Sequence, residues 1–378
     1  MTIRTLALPI RLLVILGLCL PALAFGMGMN GRTTAVLAQG ADCATDAGAS
    51  AATGSPVAST GDDSSPDAVA SAGANGAEVA FLPKDVVNPY FASNFRGAEE
   101  AAGELGGVAE QVGPDTPNAA EQVTFIQTLT QQGVAAIGVS ANDPNALAPA
   151  LNEARAQGIK VVSFDSDVAP DARDLFINPA DSEEIGRDQI RDLARLVGCE
   201  GEVAVLSAAS TATNQNAWIA FMEDELTRPG YENIELVEVA YGNDEDGTSY
   251  DRTIELLTAY PDLKGIVSPT TVGIKNAAAA LRDEGRTDIA LTGLGLPNEM
   301  REFVQDGTVT EFALWNPTDL YYLTYYAAIA LVNEEITGAP GDTFTAGRLG
   351  SYTVGEGGVV ILGPPFAFTA DNIDDFDF

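Results

Sequence analysis

Val79-Ala80-Phe81-Leu82-Pro83-Lys84, followed by Asn88-Pro89-Tyr90-Phe91, sets the pattern for most of the chain. Four apolar residues in an unbroken run read as a strand covered on both faces. Proline and lysine end the run, and Phe91, Phe95, Ala98, Ala102 and Leu105 then recur at the spacing of a helix that buries one side. The same order returns downstream. Ala135-Ala136-Ile137-Gly138-Val139 is the next strand, Asp143-Pro144 supplies an N-cap with proline at the first helical position, and Gly158 closes that helix. Lys160 to Phe164 and Leu175-Phe176-Ile177 continue the series. Repeated β-helix-β units predict a parallel sheet with helices on both faces. A second series opens at Glu202-Val203-Ala204-Val205-Leu206 and runs through Ile234 to Ala240, Gly265-Ile266-Val267 and Ile289 to Thr292. The expected fold class is therefore α/β, with two doubly wound parallel-sheet lobes and a cleft between them.

Polar residues gather where these strands end. Pro83-Lys84, Asp165-Ser166, Asn214-Gln215-Asn216, Pro269-Thr270-Thr271 and Trp315-Asn316 all stand at strand ends or at the first residues of the helices that follow. In open α/β sheets the ligand crevice lies beyond the carboxyl ends of the strands, so these residues are placed to contact a small polyhydroxylated molecule. Lys84 and Asn88 would donate hydrogen bonds while Tyr90 or Phe91 packs on an apolar ring face. The alternative for Asn88 is a helix cap. Asp165 can accept two hydroxyls at once, whereas Asp167 is expected to cap a turn. Neutral amides at Asn214 and Gln215 suit an uncharged ligand better than a phosphate or carboxylate, for which arginine is the usual partner. Leu294 lies in Gly293-Leu294-Gly295-Leu296-Pro297, which lacks the third glycine and the downstream acid of a dinucleotide loop. No histidine occurs anywhere. With no nucleophile beside a base, no metal-ligand cluster and no cofactor motif, binding is the expected activity. The rival is an exported sugar hydrolase or isomerase using Asp165 as its base.

A formal charge of −35 excludes nucleic acid as a partner, because a phosphate backbone requires a basic patch. The first residues carry Arg4 and Arg11, then the apolar run Leu12 to Leu20, then Ala22-Leu23-Ala24, the order of a secretory signal. A second possible cut follows Val36-Leu37-Ala38, and retention of residues 1–38 as an anchor is the alternative. Residues 39–76 are dominated by Ala, Ser, Gly, Asp, Thr and Pro and read as a flexible tether. Nothing later is long and apolar enough to span a bilayer, so an exported protein is expected, in the periplasm or on the outer face of the cytoplasmic membrane. Of the three cysteines, Cys19 lies in the signal; Cys43 and Cys199 are expected as unpaired thiols, a bridge between them being the alternative.

At these residues the chain resembles the type I periplasmic sugar-binding proteins of ABC importers, and among them the rhamnose-binding proteins. The stretches that carry the resemblance are Ala80-Phe81-Leu82-Pro83-Lys84 with Asn88-Pro89-Tyr90-Phe91, Phe164-Asp165-Ser166-Asp167, Ala212-Thr213-Asn214-Gln215-Asn216-Ala217-Trp218, Pro269-Thr270-Thr271-Val272-Gly273-Ile274-Lys275 and Ala313-Leu314-Trp315-Asn316-Pro317. The chain is also similar to the relative that binds autoinducer-2 (AI-2). By that likeness ligand contacts fall on Lys84, Asp165, Asn214, Gln215, Pro269 and Thr271, although Asn214 stands where that relative has an aspartate and Thr271 where it has an alanine. The resemblance implies three crossovers through a hinge, with residues 77–181 and 317–345 in the first lobe and 182–316 and 346–378 in the second. It implies a monomer that binds a monosaccharide, most simply rhamnose, and delivers it to a membrane permease, touching the membrane only through that permease or its own N-terminal segment.

Overall fold

A computed structural model describes Cys43 and residues 76–378. The expected signal over 1–38 and nearly all of the tether over 39–76 lie outside the described residues. The first lobe is laid down as β1 (Glu78–Leu82), α1 (Pro89–Ala92), α2 (Arg96–Leu105), β2 (Val108–Gln111), α3 (Ala119–Gln132), β3 (Ala136–Val139), α4 (Pro144–Ala156), β4 (Lys160–Phe164) and β5 (Leu175–Asn178). The second follows as α5 (Ser182–Leu196), β6 (Gly201–Ser207), α6 (Thr213–Leu226), β7 (Ile234–Tyr241), α7 (Asp246–Ala259), β8 (Leu263–Ser268), α8 (Thr271–Asp283), β9 (Ala290–Gly293), α9 (Pro297–Gln305) and β10 (Glu311–Leu314). The rest of the chain is α10 (Pro317–Val332), β11 (Thr343–Thr345), β12 (Ser351–Thr353), β13 (Val359–Ile361) and β14 (Phe366–Thr369).

The strands form a six-stranded sheet in the order β13-β5-β4-β3-β1-β2 and a four-stranded sheet in the order β7-β6-β8-β9. Pairing within both is parallel, as the continuous apolar runs require. A bridge between Leu294 and Ala313 carries the second sheet on to β10, which pairs antiparallel with β14. Gly293 allows this junction: its φ is 144°, and a Cβ there would lie 2.0 Å from the Ser268 carbonyl oxygen. No other residue fits, and the backbone turn it permits seats Leu294 at the strand end.

Three stretches pass between the lobes. The chain leaves the first sheet after β5, returns through α10, and leaves again after β13. Helix α10 is apolar over nearly its whole circumference and buried from Leu320 to Leu331, the signature of a core helix. Tyr321 on α10 stands 5.2 Å ring-to-ring from Phe81 and 5.0 Å from Phe164, so this late helix completes the core begun by β1 and β4. The last crossing falls later than the resemblance implied. Val359–Ile361 pairs with Phe176–Asn178 in the first sheet, and only from Phe366 does the chain join the second. A three-residue strand between glycine-rich turns carries too little hydrophobic pattern to be assigned to a sheet from sequence.

The thiol expectation is corrected. Cys43 and Cys199 form a disulfide, closing a sequence separation of 156. Composition treated Cys43 as part of a segment without structure, but a covalent bond needs only its own residue to be held. Cys199 sits at φ 63° in the turn between α5 and β6, so the bridge attaches the chain N-terminal to the first lobe onto the second lobe.

Within the second lobe α5 and α6 are joined through Glu225, whose side chain is 2% exposed. It accepts from Arg187 Nη1 at 3.0 Å, Arg191 Nε at 2.8 Å and Tyr231 OH at 3.2 Å, and pairs with Arg228 at 3.1 Å. Burial pushes this carboxyl upward, but the bonds from Arg191 and Arg187 outweigh it and hold the group below its ordinary value. Removing a buried partner strands the rest, so Glu225→Ala is expected to lower stability by about 3 kcal/mol in denaturant titrations at neutral pH. A depressed carboxyl contributes fully above its unfolded value of about 4.3 and loses that contribution as pH falls through the folded value. The gap between variant and parent should therefore narrow on acidification below about pH 4.

Candidate functional site

Asp165 is the residue on which the strand ends converge. It follows β4 in a left-handed turn, φ 58°, which aspartate tolerates better than most side chains, and is 5% exposed. Its Oδ2 accepts from Ser140 Oγ at 2.7 Å and lies 3.7 Å from Lys84 Nζ. Its Oδ1 accepts from Tyr90 OH and from Asn214 Nδ2, each at 3.4 Å. Lys84, at the end of β1, is equally buried and also donates to Asn214 Oδ1 at 3.4 Å. An unpaired charge so far from water would be costly, and here each charge has the other. Asn214 belongs to α6, so this group spans the two lobes. Nearby, Thr211 Oγ1 donates to the Asn142 carbonyl at 3.0 Å and Thr213 Oγ1 to the Asp167 carbonyl at 3.3 Å, across the same cleft.

Around this group is a cavity of about 370 Å³ including its open mouth. Lys84, Asn88, Tyr90, Phe91 and Asp165 line it from the first lobe. Asn214, Gln215, Pro269, Thr270, Thr271, Leu294 and Trp315 line it from the other side. Tyr90 accepts from Trp315 Nε1 at 2.8 Å while donating to Asp165. Burial, then the charge of Asp165, raises its phenol well above the usual range, so it remains a neutral donor. Gln215 is held from behind: its Oε1 accepts from Ser207 Oγ and from the Ala208 amide, both at 2.7 Å. That leaves its Nε2 as a donor. Asn88 proves to be both candidates at once, since it lines the cavity and its Oδ1 caps α1 by accepting from the Tyr90 amide at 3.0 Å.

One expectation is corrected here and another is given its partners. Asn316 does not line the cavity: it caps α10, its Oδ1 accepting from the Thr318 and Asp319 amides at 2.9 and 3.3 Å. Asn-Pro at a helix start is a capping signature, and the cap is the role Asn316 takes. Asp167, expected to cap a turn, accepts from the Val168 amide in the turn after β4 at 2.8 Å and is also held by an arginine. Arg173 donates to it at 2.7 Å from Nε and 2.9 Å from Nη2, an ion pair that pins the loop after β4.

Three residues outside the expected contact set also line the cavity: Trp218, Asp244 and Leu314. Trp218 follows Asn214 by one helical turn and so shares its face, but a tryptophan on an apolar face reads first as core. Asp244 lies three residues beyond the end of β7, in an acid-rich stretch from Asn243 to Asp246 that obscures it. Thr270 gives its hydroxyl to Asp244 rather than to the amides of α8. Burial drives the Asp244 carboxyl upward against the pull of Lys84.

The residues from Val79 to Ile336 match the family model described as the periplasmic binding protein domain. The chain belongs to that family. The cavity-lining residues of this periplasmic binding protein come from both lobes. Among solved structures, the chain is 47% identical to a sugar ABC transporter protein from Actinomyces odontolyticus, over 80% of this chain and 98% of that one, with a TM-score of 0.66. It is 40% identical to an ABC transporter solute-binding protein from Clostridium phytofermentas with bound L-rhamnose, over 79% and 98% of the two chains, TM-score 0.77. It is 25% identical to LsrB from Clostridium saccharobutylicum in complex with AI-2, over 80% and 100%, TM-score 0.75. The first two of these relatives are named as proteins of ABC transporters. Among the described residues no helix is long and apolar enough to cross a membrane and no cluster of acidic or sulfur ligands is arranged for a metal.

Proposed function

We propose that this periplasmic binding protein captures an uncharged monosaccharide, L-rhamnose, outside the cytoplasm and presents it to the permease of an ABC transporter. The charge balance of the cavity carries the reading. Among the described residues Lys84 is the one cation lining it, and that charge is engaged by Asp165, with Asp244 adding a further carboxyl. An anionic ligand would meet no free cation among these lining residues. A neutral polyol, by contrast, meets carboxylate acceptors at Asp165, amide donors at Asn214 and Gln215, and hydroxyls at Thr270 and Thr271. A deoxy sugar also carries a methyl group that needs an apolar corner, and Phe91 and Leu294 supply one, both almost completely buried. The relative with bound L-rhamnose supports the choice of sugar. Replacement of two AI-2-contacting positions by Asn214 and Thr271 favours it over the signalling molecule.

Calorimetry with L-rhamnose, fucose, ribose, galactose and autoinducer-2 tests the assignment. L-Rhamnose is expected to bind most tightly, with a dissociation constant near 1 μM, or about −8 kcal/mol. Trp218 and Trp315 both line the cavity, so their fluorescence should change in the same titration. Tighter binding of another member of the panel would replace rhamnose, and no binding by any of them would remove the reading. Asp165→Ala leaves Lys84 buried without its counter-charge and removes a paired acceptor; affinity for the sugar should fall at least about tenfold.

A further inference from the structure

Two groups in the second-lobe wall of the cavity hold hydrogen-bonding capacity that the protein does not use. Trp218, on the second turn of α6, is 2% exposed and lines the cavity, yet its Nε1 has no hydrogen-bond partner among the described residues. A buried indole N–H ordinarily finds an acceptor. The neighbouring Trp315, 5.9 Å away ring-to-ring, does so by donating to Tyr90 OH. The apolar surroundings of Trp218 account for its ring but not for its unpaired donor.

Asp244 is the complementary case. It sits half-buried at the cavity, after β7, with Asn243 and Asp244 both in the left-handed region at φ 58° and 54°. Two consecutive non-glycine residues in that conformation hold the side chain at the strand end instead of letting it turn to solvent. Thr270 Oγ1 donates to its Oδ1, while its Oδ2 has no partner among the described residues. Burial, with Asp85 and Asp165 across the cleft as like charges, pushes its carboxyl upward against the pull of Lys84 and the bond from Thr270. A surface acid would relax away from such neighbours.

Resting on the sugar-binding reading above, we infer that Trp218 and Asp244 are specificity-determining ligand contacts. The indole N–H donates to one oxygen of the bound ring, and the free carboxylate oxygen accepts from one of its hydroxyls. The pair selects a neutral sugar that offers a hydroxyl and a second oxygen to the second lobe, and it disfavours uronic acids and sugar phosphates by like charge at Asp244.

Asp244→Asn keeps an acceptor for Thr270 but turns the free oxygen into a donor, and Trp218→Phe keeps an aromatic ring, smaller than the indole, while removing the N–H. Calorimetry of the full chain with L-rhamnose and its monodeoxy analogues, together with melting curves of the unliganded protein, reads both. Asp244→Asn should weaken L-rhamnose at least about tenfold and Trp218→Phe about three- to tenfold. The unliganded melting temperature should not fall in Asp244→Asn, which keeps the bond from Thr270, whereas a purely structural role for the carboxylate would lower it; Trp218→Phe trims a buried ring and lowers the melting temperature by packing alone, so it is read from the loss of affinity. One monodeoxy analogue should lose affinity for the parent but not, further, for Asp244→Asn, marking the hydroxyl that the carboxylate reads. If another sugar of the panel is the tighter ligand, the same series is run with that sugar, so a wrong choice of sugar is separable from a wrong assignment of contacts. Parental affinity in either variant, or identical deoxy penalties in parent and Asp244→Asn, overturns the inference.

Discussion

Lys84 and Asp165 form a buried ion pair at the meeting point of two lobes, and most of the site's architecture can be understood as what such a pair needs. Either charge buried at that depth without the other would be costly. Ser140 and Tyr90 occupy further positions on the carboxylate, and Asn214 offers its oxygen to the lysine and its amide to the aspartate, closing the group from the opposite lobe. Each of these contacts except that from Ser140 is long, between 3.4 and 3.7 Å. Bonds of that length are weak, so the same polar atoms can turn to a ligand's hydroxyls at little loss. The pair thus holds the site organised without saturating it.

The fold supplies the positions. Parallel strands in both sheets end on the same cleft, so β1, β4, β6, β7 and β8 each deliver a polar residue or the start of a helix to it. The crossings at β5–α5, β10–α10 and β13–β14 join the lobes by three strands of chain, which permits one to move against the other without disturbing either core. Helix α10 buries its aromatic residues against β1 and β4, fixing the strand ends that carry Lys84 and Asp165. Far from the cleft, Glu225 and its arginines secure α6, on which Asn214, Gln215 and Trp218 ride.

Much of this was legible in the sequence because strand ends in parallel sheets are both apolar-to-polar boundaries and ligand positions. Lys84, Asp165, Gln215 and Thr271 stand at such boundaries and line the cavity. Asn316 stands at one too, but the proline after it commits it to a helix cap, a local bond that wins over a distant one. Trp218 was hidden by chemistry: an indole is apolar by area and polar by one atom, and only the missing partner distinguishes a ligand donor from a core residue. Asp244 was hidden by abundance in an acidic chain. The disulfide was hidden by its setting, since Cys43 lies in a stretch whose composition speaks against order, and the late transfer of β13 to the first sheet by the brevity of the strand.

A crystal structure of the protein with L-rhamnose tests the central claim most directly. The account requires one sugar ring between the lobes, within hydrogen-bond reach of Lys84 or Asp165 on one side and of Asn214 or Gln215 on the other. A sugar bound to one lobe alone, or at any site away from these side chains, would contradict it.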